Sequence, residues 1–165
     1  MTPEERLIPA QVLPPDAIDL FDRMPVDAQH HSLNVLRAVR EMGLKDPDLD
    51  AAALLHDVGK LSPEPGGQRL GLWLRGPLVL LDATVPGLLT IMAKPEPDAG
   101  WRYTVYAHRE HPRIGAEWAS GAGCSDLTCW LIRHHQDKLN RLNTSSVRDD
   151  KLHLLAALQE ADNSS

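Results

Sequence analysis

Cysteine is scarce in this chain. Only Cys124 and Cys129 occur, and their spacing makes neither a CxxC redox pair nor a zinc knuckle, which excludes a disulfide scaffold and a cysteine-built metal site. Two free, mostly buried thiols are expected instead. A basic excess is missing too: 17 Lys and Arg stand against 23 Asp and Glu, a net charge of −6. That balance argues against a partner that is a long nucleic acid, whose phosphates demand a basic face. Long uncharged apolar runs are also absent. The most apolar stretch, Leu70 to Ala93, is cut by Arg75 and Asp82, and its longest uncharged run is the 11 residues between Asp82 and Lys94. Roughly 18 are needed to span a bilayer, so the stretch is read as a buried, kinked helix pair, with membrane contact the lesser reading. The opening residues Met1-Thr2-Pro3-Glu4-Glu5-Arg6 carry acid where a signal peptide has a basic segment. The protein is therefore expected in the cytoplasm.

Regular β alternation and internal repeats are missing as well, whereas helical signals recur. The expected fold is all-α, a single compact helical bundle. A chain of 165 residues suits one domain, and at that length a core buries about 70 % of the unfolded surface without a disulfide or a structural metal. Residues 1–27 read as a proline-rich arm and a short helix capped by Asp16, and residues 28–165 as the domain. Asp27 is expected to open a helix running to Gly43, and Asp48 or Asp50 one over Ala51 to Val58, closed by Gly59. Residues 62–67 and 94–100 read as loops. Further helices are expected from Trp101 to His108, from Pro112 at a first helical position to Ala119, from a Ser125 cap to His135, and from Asp149 to Asp162.

Histidine carries the information: eight occur, and six of them fall in the groups His30-His31, His108/His111 and His134-His135, with His56 beside Asp57. On a helix of 3.6-residue period His31 shares a stripe with Val35, Ala38 and Met42, and His30 with Asn34, Arg37 and Glu41, so His31 faces inward. Taken alone, an inward histidine is more often a hydrogen-bonded core residue than a metal ligand. Ala51-Ala52-Ala53-Leu54-Leu55 is apolar on every side, the mark of a buried helix, and it leads straight into His56-Asp57-Val58-Gly59-Lys60. Buried charges at that point need pairing or a metal; the alternative is a helix end fraying into solvent with Asp57 and Lys60 as a surface pair. In the last helix Leu155, Leu158 and Asp162 share one face, which places a carboxylate on the core side, while Glu160 points away.

The order His31, His56-Asp57, His111, His134-His135, Asp162 resembles the HD-domain metal-dependent phosphohydrolases, an all-helical superfamily marked by H…HD…H…H…D. The strings that carry the resemblance are His31-Ser32-Leu33-Asn34-Val35, Leu54 to Lys60, His111-Pro112-Arg113-Ile114-Gly115-Ala116, Ile132-Arg133-His134-His135 and Ala161-Asp162. The resemblance implies one metal on His31, His56, Asp57 and Asp162, with Asp57 bridging to a second metal held by His111 and one of His134 or His135. Which of that last pair binds stays open. His111 is preferred to His108, since its place before Pro112 is biased out of the helix and lets the imidazole swing inward.

The family's cyclic-di-GMP branch follows its double histidine with a glutamate and a Gly-Tyr-Pro string, whereas this chain reads His134-His135-Gln136-Asp137-Lys138, so that specificity is not assigned. The implied activity is hydrolysis of a small phosphate ester, most plausibly a nucleotide, by a hydroxide held between two divalent ions (Mn, Fe, Co, Ni, Zn or Mg). Asp57 and Lys60 are the implied catalytic pair, and Lys60 and Arg133 would neutralise phosphate oxygens. Two other classes share these ligands: a non-catalytic nucleotide- or metal-binding signalling module, and an HD-type di-iron oxygenase.

Overall fold

The computed structural model describes residues 2, 4–61, 101–142 and 149–165, and every regular element among them is helical. In chain order these are a 3-10 turn Glu5–Leu7, α1 Ile8–Val12, α2 Pro15–Asp22, α3 Val26–Glu41, α4 Pro47–Leu55, a 3-10 turn Val58–Lys60, α5 Trp101–Gly121, α6 Asp126–His134, a 3-10 turn Leu139–Arg141, and α7 Asp149–Ser164. The all-α expectation holds. Contacts divide the chain into two units, Met1–Gly59 with Pro112–Ser165, and Lys60–His111. The apolar stretch 70–93 and the loops expected at 62–67 and 94–100 lie outside the described residues. No helix among the described residues is long and apolar enough to cross a membrane.

The first unit is organised around α4. Leu49 and Ala51 through Leu55 are all buried, and α4 packs against α1, α2, α3, α6 and α7. The continuous apolar run Ala51 to Leu55 is what a helix segment with neighbours on every side requires. Asp46 caps it, its carboxylate accepting from the N–H groups of Asp48 and Leu49 at 2.9 and 3.0 Å, and Pro47 sits in the first turn, where its missing N–H costs nothing. The helix thus starts earlier than the expected Asp48 or Asp50 cap, and it ends at Leu55, with His56 as its C-cap.

Three other expectations are corrected. The segment read as an arm forms a 3-10 turn and α1, with Pro9 and Leu13 buried. Pro14 and Pro25, rather than Asp16 and Asp27, stand at the N-cap positions of α2 and α3. Trp101 to Gly121 is one helix with Pro112 inside it, so His111 is helical and does not swing out of register. A proline in a helix interior costs on the order of 3 kcal/mol; on its C-terminal side the helix buries Ala116 and Ala119.

Gly115 lies on that buried stretch. A Cβ there would stand 3.1 Å from the Gly59 backbone N and 3.3 Å from side-chain carbons of Ile132 and Val58. The absence of a side chain is what lets α5 approach the turn that follows His56-Asp57.

Candidate metal centre

Two helix C-termini supply the centre of the site. His56 closes α4 and is fully buried; its Nδ1 lies 3.0 Å from the Ala53 carbonyl oxygen. His135 closes α6 in the same manner, buried and with Nδ1 at 2.7 Å from the Ile132 carbonyl oxygen. A carbonyl can only accept, so in both rings the proton sits on Nδ1 and Nε2 is turned to the site. This is the arrangement found in metal-ligating histidines, where a backbone carbonyl fixes the tautomer and orients the ring.

Carboxylates face these nitrogens. Asp162 Oδ1 lies 2.9 Å from His31 Nε2 and 3.3 Å from His56 Nε2, while the two oxygens of Asp57 lie 3.8 Å from His56 Nε2 and 3.8 Å from His135 Nε2. The His56 ring stands between those of His31 and His135, with centroids 5.3 Å from each. Asp162 reaches His31 and His56 from the face it shares with the buried Leu155 and Leu158.

The donor set fits a divalent cation on an observation independent of any family. His56 Nε2 is buried and makes no hydrogen bond among the described residues, which is costly for a polar atom that no ion satisfies. Two ligand atoms bound tetrahedrally at about 2.0–2.2 Å from one ion are about 3.4 Å apart, close to the spacings above. Two groups of ligand atoms each lie within 4.8 Å of one another: His31, His56 and Asp162, and Asp57, His111 and His135. His111 is fully buried and immediately precedes Pro112 in the unbroken α5, so its backbone is carried by the same helix as the core residues Ala116 and Ala119.

The electrostatics suit the same role. The side chain of His56, against the opposing pull of burial, holds the Asp162 carboxyl well below the usual carboxylate range, with a smaller contribution from His31. Burial, with His56 nearby, pushes His135 down to about 4. A charged carboxylate and a neutral imidazole are the protonation states a metal requires. Burial works against charge on His56, yet Asp162 and Asp57 overcome it and its pKa is raised. Positive charge is what this corner attracts.

Other sequence candidates lie elsewhere. His134 turns to Asp137, Nδ1 to Oδ2 at 2.6 Å, and packs on Trp130 with centroids 4.7 Å apart, so the structure brings His135 and not His134 to the cluster. Lys60 is exposed at the end of the turn after Asp57. Arg133 is exposed and, two residues before His135, about 200° around the helix from it. The buried face of α3 is Gln29, Ser32, Leu33, Val35, Leu36 and Val39, which puts His31 at its edge, 30 % exposed, and leaves Met42 outside. Cys124 and Cys129 are free and half-buried, and burial pushes the Cys124 thiol up to about 11, out of the nucleophile range.

Gly115 and Asp137 stand in the strings quoted above without a role of their own, and Gln159 stands in none of them. Gln159 Nε2 donates to the Asp137 carbonyl at 2.8 Å and lies 3.5 Å from that of His134; its only sequence signal was its place one turn before Asp162. No family model, curated protein or solved structure matches the chain. The metal reading therefore stands on the geometry of the residues themselves.

Proposed function

We propose that the protein is a metal-dependent phosphohydrolase acting on a small phosphate ester, a nucleotide being the favoured class. The observation that carries the reading is the pair of buried imidazoles, His56 and His135, each with Nδ1 committed to a backbone carbonyl and Nε2 facing a carboxylate. His31, His56 and Asp162 would hold one divalent ion, and Asp57, His111 and His135 a second, with the Asp57 carboxylate, between His56 and His135, shared by both. Bound there, divalent ions supply Lewis acidity and a nucleophile at neutral pH. The chain's own part is orientation and charge: Asp57 and Asp162 offset the cations, burial of His56 and His135 keeps water from competing for their nitrogens, and Lys60 neutralises phosphate oxygens as charge builds. The HD-type order of these residues supports the same reading.

Metal analysis of protein purified without chelator tests the site before any substrate is chosen. One to two equivalents of a transition metal are expected, and none in His56→Ala. A matrix of added Mn, Co and Ni against nitrophenyl phosphate, mononucleotides, cyclic di-GMP and long RNA then tests the reaction. Turnover of the first two, absent from the His56→Ala blank, is expected. Metal without turnover anywhere would overturn the hydrolase reading in favour of a binding module.

A further inference from the structure

The turn that follows His135 is closed three times over. The Asp137 N–H donates to the His134 carbonyl at 2.9 Å, His134 Nδ1 meets Asp137 Oδ2 at 2.6 Å, and Gln159 Nε2, reaching across from α7, donates to the Asp137 carbonyl at 2.8 Å with the His134 carbonyl at 3.5 Å. Trp130, one turn back on α6, backs the His134 ring. A helix C-terminus leaves its last carbonyls without partners, and here the neighbouring helix supplies a donor to them. Gln159 is three residues from Asp162, and His134 is adjacent to His135, so one set of hydrogen bonds joins the backbones that carry two members of the cluster.

From this geometry we propose that His134, Asp137 and Gln159 are positioning residues, a latch that fixes the His135 turn against the helix bearing Asp162, and that His134 serves the metal centre through this latch rather than as a ligand. The inference rests on the metal reading above. Hydrogen-bonded groups behind the ligands commonly change metal affinity by 10- to 100-fold when removed. The latch fixes a ring that is already held by its own carbonyl, so its share falls at the lower end, about 10-fold.

Cobalt(II) titration of the full chain, followed by its visible spectrum, tests the latch with Gln159→Met, His134→Ala and His134→Asn. Methionine keeps the bulk of Gln159 and removes the donor; asparagine places an amide N–H near the His134 Nδ1 position and has no imidazole. Gln159→Met and His134→Ala are expected to keep the wild-type stoichiometry, weaken cobalt binding about 10-fold and change the ligand-field bands, and His134→Asn to restore both. Unchanged affinity and spectrum in Gln159→Met overturns the latch, and that variant decides alone should His134→Ala lose its helical circular dichroism. Loss of a whole ion in both His134 variants makes His134 a ligand and overturns its assigned role. A wild-type protein that takes up no cobalt overturns the metal reading itself, and the latch with it.

Discussion

His56 at the end of α4 and His135 at the end of α6 are built alike and held differently. Each caps its helix, gives Nδ1 to the carbonyl three residues back, and points Nε2 at a carboxylate. Around His56 the support is packing: the stretch Ala51 to Leu55 that leads into it is apolar on all sides, Val58 and Gly59 are buried, and Gly115 admits α5 against them. Beyond His135 the chain runs into exposed residues 136–140, and the support is a set of hydrogen bonds from Asp137 and Gln159. Their charge differs as well. His56 meets both Asp57 and Asp162 and its pKa is raised, whereas His135 meets Asp57 at 3.8 Å and is pushed down to about 4. Packing can place an imidazole among carboxylates with no polar scaffold, because the helix itself supplies the hydrogen bond that orients the ring. Where packing stops, side chains take over.

The sharpest way to break the comparison is to remove each ring. His56 Nε2 faces a ligand of each ion, Asp162 at 3.3 Å and Asp57 at 3.8 Å, so His56→Ala disturbs both and should abolish metal binding, while His135→Ala disturbs Asp57 alone and should leave one ion on His31, His56 and Asp162. Metal content after dialysis gives the answer, with circular dichroism confirming that helical content is retained. Equal losses in the two variants would erase the proposed difference. Next in size is the packing side alone. Gly115→Val forces a side chain onto the Gly59 backbone N, 3.1 Å from the ideal Cβ, and overpacking of this kind costs about 1–3 kcal/mol. A fall by that amount in the unfolding free energy from urea titration is expected; a stability at or above wild type would mean that α5 does not rely on the close approach.

What could be read from the sequence follows the range of the forces involved. Helix type was legible because periodicity is local, and α4 in particular, since Ala51 through Leu55 admits no solvent-facing side. The order of histidines and aspartates was legible for the same reason: each cluster residue sits at a helix end or on a helix face that its neighbours define. The continuity of α5 through Pro112 was not, because a proline favours a first turn locally and reads the same whether a helix begins at it or already runs into it. Nor was the choice within His134-His135. Both sit in the last turn of α6, and the one that enters the cluster is settled by partners from elsewhere, Asp57 for His135 and Asp137 for His134, together with a glutamine on another helix. His31 shows the limit of phase: read as the inward member of its doublet, it is half-buried like His30 and stands at the rim of the buried face, where Asp162 can reach it.

The smallest effect probes the opposite end of α6 and so separates stability from siting. Ser125 caps that helix: its hydroxyl accepts the Thr128 N–H at 3.0 Å and donates to the Asp48 carboxylate, which Thr128 Oγ1 also reaches at 3.0 Å. Losing an N-cap serine costs about 1 kcal/mol, and Thr128 keeps Asp48 tied to α6 when the serine is gone. Ser125→Ala should therefore lower the unfolding free energy from urea titration by about that much without changing the number of ions bound, because His135 is held at the other end, by the Ile132 carbonyl and the turn that follows. A variant that lost an ion along with stability would mean that α6 moves as one body, its far end governed by the cap and not by the contacts around His135.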